Sequence, residues 1–208
     1  MPFEFLISAL VTLLVVVDPV GLAPAFLGLT DGVSQKFRRS IALRACLIAG
    51  AILIGAALIG DWLLRKLGIT LPAFRIAGGL LLFAVASEMV LGLRLKHAAQ
   101  DAEQAAEEHL HNMAAFPLAI PMMAGPGAIT ATILLAGQAD ARPEWVAVLL
   151  LAVVLSIAAC FLCFAAGERI RKFLGVTGNV VLSRLLGVVL AALAVQFIID
   201  GVRQTISG

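Results

Sequence analysis

Apolar runs recur along the chain near residues 4–27, 42–62, 74–93, 116–137, 145–166 and 184–203, separated by clusters of charged residues. A hydrocarbon core of about 30 Å takes about 20 helical residues to cross, so each run is long enough to be one span. Every span must be helical, because an open strand in lipid leaves backbone donors and acceptors without partners. The pattern predicts an all-α integral membrane protein with six transmembrane helices. Between the third and fourth runs lies a long polar stretch, Lys96 to Asn112, with Asp101, Glu103, Glu107, Glu108 and all three histidines, His97, His109 and His111. It predicts a polar linker over 96–113 that divides the chain into a first unit, 1–95, and a second, 114–208. His109 and His111 stand beside Glu107 and Glu108, but no second cluster completes a metal-ligand set, and no metal site is expected.

Composition agrees with a bilayer rather than a large soluble core. Of 208 residues, 62% are hydrophobic and 13% charged, against about 25% charged in an ordinary soluble domain. The net charge of +2 does not point to nucleic acid. How the basic residues are shared between loops is more informative. Lys36, Arg38, Arg39, Arg44, Arg94, Lys96, Arg169, Arg171, Lys172 and Arg184 fall on one expected side, and Arg65, Lys66, Arg75, Arg142 and Arg203 on the other. The positive-inside rule makes the first group cytoplasmic, so both termini are expected outside. Trp62 and Trp145 then sit at outer helix ends, a usual place for interfacial aromatics. Met1-Pro2-Phe3-Glu4 lacks the basic start of a cleavable signal, and the first run is expected to remain as a span.

An internal repeat organises the six runs. An offset of 107 superposes Pro19 in Val17-Asp18-Pro19-Val20-Gly21 on Pro126 in Ala124-Gly125-Pro126-Gly127-Ala128, and Gly68-Ile69-Thr70 on Gly175-Val176-Thr177. After a slip to 109, Arg75 meets Arg184, Gly78 meets Gly187 and Gly92 meets Gly201. Three spans per unit is an odd number, so the second unit must start from the opposite face. The expected architecture is two inverted three-helix repeats, as in many secondary transporters, whose solutes bind near the midplane at interrupted helices.

The first helix of each repeat is expected to be broken. Asp18 lies deep in the first run, where an isolated charge costs about 2.5–3.5 kcal/mol. Pro19 cannot donate an intrahelical bond and Gly21 tolerates unusual angles, so Asp18 to Gly21 is expected to unwind. Gly125-Pro126-Gly127 is a stronger breaker, with Thr130 one turn later. Freed amides at each half-helix start suit a carboxylate. Asp18 either caps its half-helix or serves an ammonium group or a coupling proton or Na+. The candidate substrate-binding residues are Asp18, Pro19, Gly21, Gly125, Pro126, Gly127 and Thr130. Ser87 and Gln196, equivalent at the 109 offset, are candidates to line the path or to bond helices together. No catalytic residue and no organic cofactor is expected. The competing thiol-carrier reading rests on Cys160-Phe161-Leu162-Cys163, but no neighbouring group would lower a thiol pKa there. A channel or an accessory membrane subunit is the third reading.

At Asp18-Pro19-Val20-Gly21, Gly68-Ile69-Thr70-Leu71-Pro72-Ala73-Phe74-Arg75-Ile76-Ala77-Gly78-Gly79, Pro121-Met122-Met123-Ala124-Gly125-Pro126-Gly127 and Ser183-Arg184-Leu185-Leu186-Gly187, the sequence resembles the MarC family over nearly its whole length. The family often carries Asn where this chain has Asp18. The resemblance implies a bacterial cytoplasmic-membrane protein related to small neutral amino acid transporters and, more remotely, to exporters of the LysE superfamily. The expected partners are therefore the lipid bilayer and a small neutral amino acid or similar solute.

Overall fold

The structure is a computed structural model that describes residues 2–93, 114–139 and 142–207. The expected linker, with its histidines and acidic residues, lies outside the described residues. The elements are α1 (Pro2–Val17), α2 (Pro19–Leu29), α3 (Gln35–Lys66), α4 (Leu71–Leu91), α5 (Ala114–Met123, wound as a π-helix), α6 (Pro126–Gln138), α7 (Pro143–Ala165) and α8 (Gly167–Ser207). Among the described residues there is no strand, as the apolar pattern requires.

Five stretches of the described residues are long and apolar enough to cross a membrane: Phe3–Leu29, Gln35–Lys66, Leu71–Leu91, Pro143–Ala165 and Thr177–Ile206. The sixth expected span is divided between α5 and α6. With 13 residues at about 1.5 Å each, α6 is too short to cross alone. By the same rise, the 32 residues of α3 run about 48 Å. Both ends of α3 therefore extend beyond the apolar layer, carrying Lys36, Arg38 and Arg39 at one end and Arg65 and Lys66 at the other.

Short local signals set the helix ends. The Thr70 side chain caps α4 by accepting from the Ala73 amide at 3.3 Å, and Gly92 closes the helix with φ 73°. Gly68 and Gly175, superposed by the 107 offset, both adopt the left-handed region, at φ 70° and 62°. In the second unit this turn is a kink inside α8 rather than a loop.

Each span contributes to one core. Leu13, Leu53, Leu82, Leu134, Leu149 and Leu190 are fully buried, among small residues such as Ala9, Ala49, Ala131 and Ala152. Large apolar side chains such as Leu47, Leu80, Leu162 and Val188 cover the outside, the surface a bilayer accepts and water does not. The most extensive helix pair is α4 with α8. They run antiparallel: Gly79 lies against Ala194 and Ile198, Gly187 against Ala86 and Met89, and Gly201 against Pro72 and Ile76. A methyl group added at Gly79 would stand 2.7 Å from the Ala194 carbonyl, and one at Gly201 would stand 2.8 Å from that of Pro72. Small residues are what let these two backbones approach. Contacts between the units come in matching sets. Helix α1 packs on α7 and α5 on α3, while α2 packs on α8 and α6 on α4.

Candidate solute site at the helix breaks

The first break is sharper than the sequence suggests. No stretch is unwound. Asp18 alone leaves the helix, at φ 54° and ψ 65°, and α2 starts at once with Pro19. Backbone bonds continue on either side, from the Asp18 amide to the Leu14 carbonyl at 2.9 Å and from the Leu22 amide to the Asp18 carbonyl at 3.0 Å. Asp18 Oδ1 accepts from the Gly21 amide at 3.0 Å, the bond of an N-capping residue, and Pro19 occupies the first helical position, where a missing N–H costs nothing. Asp18 Oδ2 accepts from Ser183 Oγ on α8, also at 3.0 Å. Both side chains are 2% exposed. Gly21 is helical, so its role is space rather than unusual angles: a Cβ there would overlap the Asp18 carboxylate.

The second break is built differently. Pro121 withholds an amide from α5, which winds wide and closes with the Ala124 amide on the Ala119 carbonyl at 2.8 Å. Ala124 and Gly125 are non-helical, and α6 begins at Pro126. Gly125, at the position equivalent to Asp18, is the N-cap of α6 and supplies no side-chain bond. It cannot carry one, because a Cβ there would overlap the Pro121 carbonyl oxygen. The first intrahelical bond runs from the Ile129 amide to the Gly125 carbonyl at 3.0 Å. The Gly127 and Ala128 amides ahead of it are left without an intrahelical acceptor.

Gly127 and Ala128 belong to the wall of a cavity of about 310 Å³ lined by Gly125 to Ala128, Pro121 to Met123, Val16, Leu22 and one face of α4. Glu88, half-buried on α4, also lines it. Among the expected site residues the cavity thus brings together Gly125, Pro126 and Gly127. Val16, of the last turn of α1, would stand 3.5 Å from a Cβ at Gly127. Asp18, Pro19 and Gly21 lie on the neighbouring break but not in the cavity wall. Thr130 is buried one turn deeper, its methyl group against Gly78. Ser87 Oγ donates to the Phe83 carbonyl of its own helix at 2.8 Å. Gln196 is exposed and donates to Asp200 at 2.8 Å.

Glu88 is the group that sequence reasoning undervalued. Its place near the end of an apolar run reads as access to water. The signal that could have raised it is an acidic residue one helical position from Ser87, itself a candidate. The cysteines are all free. Cys160 is fully buried, so a thiol-exchange partner has no path to it.

The fold and site define a class: an all-helical, multi-pass integral membrane protein with interrupted helices meeting in its interior. Within that class the chain belongs to the MarC family, since residues 3–206 match the MarC family integral membrane proteins. It is 35% identical over 203 residues to the UPF0056 membrane protein MJ1677 of Methanocaldococcus jannaschii, covering 98% of each chain. It is 36% identical over 198 residues to a UPF0056 membrane protein of Aquifex aeolicus, covering 95% of this chain and 92% of that one. With the UPF0056 membrane protein YhcE of Escherichia coli it shares 32% identity over 207 residues, 99% of this chain and 94% of the other. No solved structure matches.

Proposed function

We propose that this protein is a secondary transporter of small neutral amino acids such as alanine, glycine, serine or threonine, working by alternating access with its solute site at the second helix break. The observation that carries the reading is the cavity beside α6, which has Gly127 and Ala128, at the uncapped start of that helix, in one wall and Glu88 in another. A helix start favours a carboxylate, and the Glu88 carboxylate favours an ammonium group. Between them the lining is mostly aliphatic, with Val85 and Met122 among it. At about 310 Å³ the space lies at the small end for ligand sites, which run from about 300 to 1,000 Å³. It suits a solute of a few heavy atoms better than a bulky drug. Proton coupling is part of the proposal, with Glu88, the ionisable group of that wall, as the carrier.

The matched contacts support an inverted repeat: α1 on α7 is answered by α5 on α3, and α2 on α8 by α6 on α4. A pseudo-two-fold axis in the membrane plane relates such pairs, and rocking one broken-helix unit against its partner helices would expose the cavity to either side. The charge asymmetry of the loops favours an orientation with both termini outside, and family membership, with a relative in Escherichia coli, supports a bacterial cytoplasmic membrane. In liposomes, the purified protein is expected to give saturable flux of labelled small amino acids, driven by a proton gradient and reduced in Gly127→Leu and Asp18→Ala. Absence of flux for every such solute, in either direction, overturns the proposal.

A further inference from the structure

We propose that a second cavity, between the start of α3 and the junction of α7 with α8, binds the headgroup of an anionic phospholipid. The cavity measures about 530 Å³, and Gln35, Arg38, Arg39, Glu168 and Arg169 line its polar part. Three guanidinium groups face one carboxylate there. Arg38 Nη1 pairs with Glu168 at 3.0 Å, and Arg38 Nη2 donates to the Thr30 carbonyl at 3.2 Å. Arg38 Nε is buried with no acceptor. Arg39 stands 5.9 Å over the Phe161 ring, and no carboxylate lies within ion-pair distance of Arg39 or Arg169 among the described residues. The positive charge in excess of Glu168 and the free Nε donor call for an anion with several acceptor oxygens, as a phosphate has.

The rest of the cavity says where that phosphate comes from. Its accessible apolar lining is Phe161, half-buried, and Leu162, 65% exposed on the apolar outer face of α7, set over the buried pair Phe26 and Phe164, whose rings stack at 4.6 Å. A free inorganic anion gains nothing from Phe161 and Leu162, whereas a phospholipid lays its acyl chain along them and the outer face of α7. The cavity at the other end of the protein offers a contrast within the same molecule. It is lined by Asp61, Arg65 and the Gly68–Leu71 turn, and its two charges cancel in a 2.9 Å pair, Arg65 with Asp61. Asp61 and Glu168 are superposed by the 107 offset, yet of these two cavities only the one at Glu168 is lined by cations without a carboxylate partner among the described residues. Basic cavities between helices on the cytoplasmic side are suited to anionic headgroups.

The test is thermal unfolding of the full chain in a non-ionic detergent, with phosphatidylglycerol, phosphatidylcholine or inorganic phosphate added. Phosphatidylglycerol is expected to raise the melting temperature saturably, and the other two are not. The double variant Arg39→Gln with Arg169→Gln should weaken half-saturation by phosphatidylglycerol about 25-fold, from about fivefold per guanidinium. Arg65→Gln with Lys66→Gln, at the opposite end, should leave it unchanged. An equal rise with phosphatidylcholine overturns the proposal. So does a full effect of inorganic phosphate, which would mark a free-anion site, or wild-type half-saturation in the Arg39/Arg169 variant. Should that variant fail to fold, native mass spectrometry of the wild type decides: preferential retention of phosphatidylglycerol supports the site, and equal retention of both lipids overturns it.

Discussion

At Asp18 the chain turns with a single left-handed residue whose carboxylate caps the new helix and is itself held by Ser183. At Gly125 the chain turns with no side chain at all, and the helix that follows opens onto a cavity. The two positions are superposed by the 107-residue offset. A helix start in an apolar interior must have its orphan amides satisfied, since each unpaired group there is costly. The first break meets that need from within the chain. The second has its cap position blocked by the Pro121 carbonyl, and under the proposed function the solute carboxylate meets the need. One residue, Asp against Gly, separates a break capped from within from one without a side-chain cap.

Four substitutions break or sharpen that contrast, beginning with the largest effect. Gly127→Leu sends a side chain toward Val85, Leu82 and Val16 and fills the cavity. Solute affinity is expected to fall by at least about tenfold, equivalent to ~1.4 kcal/mol, and normal flux kinetics would place the solute elsewhere. Asp18→Ala removes the cap of α2 and strands the Ser183 hydroxyl. Thermal unfolding in detergent should report a loss of about 1–2 kcal/mol, and a wild-type stability would mean the carboxylate is no cap. Ser183→Ala keeps the bond to Gly21 and removes one donor to a buried carboxylate, for an expected cost of about 1–2 kcal/mol, at or below that of Asp18→Ala in the same assay. Asp18→Asn is expected to be the mildest, a few tenths of a kcal/mol, because Asn caps about as well as Asp. If Asn abolishes flux at unchanged stability, the charge at the first break has a transport role beyond capping.

The two breaks also differ in how far they could be read from the chain. Pro19, with Gly21 close by, and Pro126, between two glycines, disclose both, because a proline has no amide to continue the ladder of the helix before it. The extent of each break was not legible. Asp18 confines the first to one residue by taking the Gly21 amide, which depends on the turn closing at φ 54°. The wide winding of α5, which packs against α3, was not legible either. Gln196 shows the reverse error: a polar residue inside an apolar run looks functional, yet it lies on an exposed face with Asp200 as its partner.

By itself the sequence determined the membrane class, the helical content and the locations of the interruptions. Those follow from hydrophobic runs, from the rule that lipid leaves no backbone group unpaired, and from proline's missing donor, all of which are local. Tertiary structure decided which break is sealed and which is open. Ser183 lies 165 residues from Asp18 along the chain, and Glu88 reaches the Gly125 break only because α4 packs on α6. Such contacts are set by the fit of small residues between helices, and that fit exists only once the helices have met.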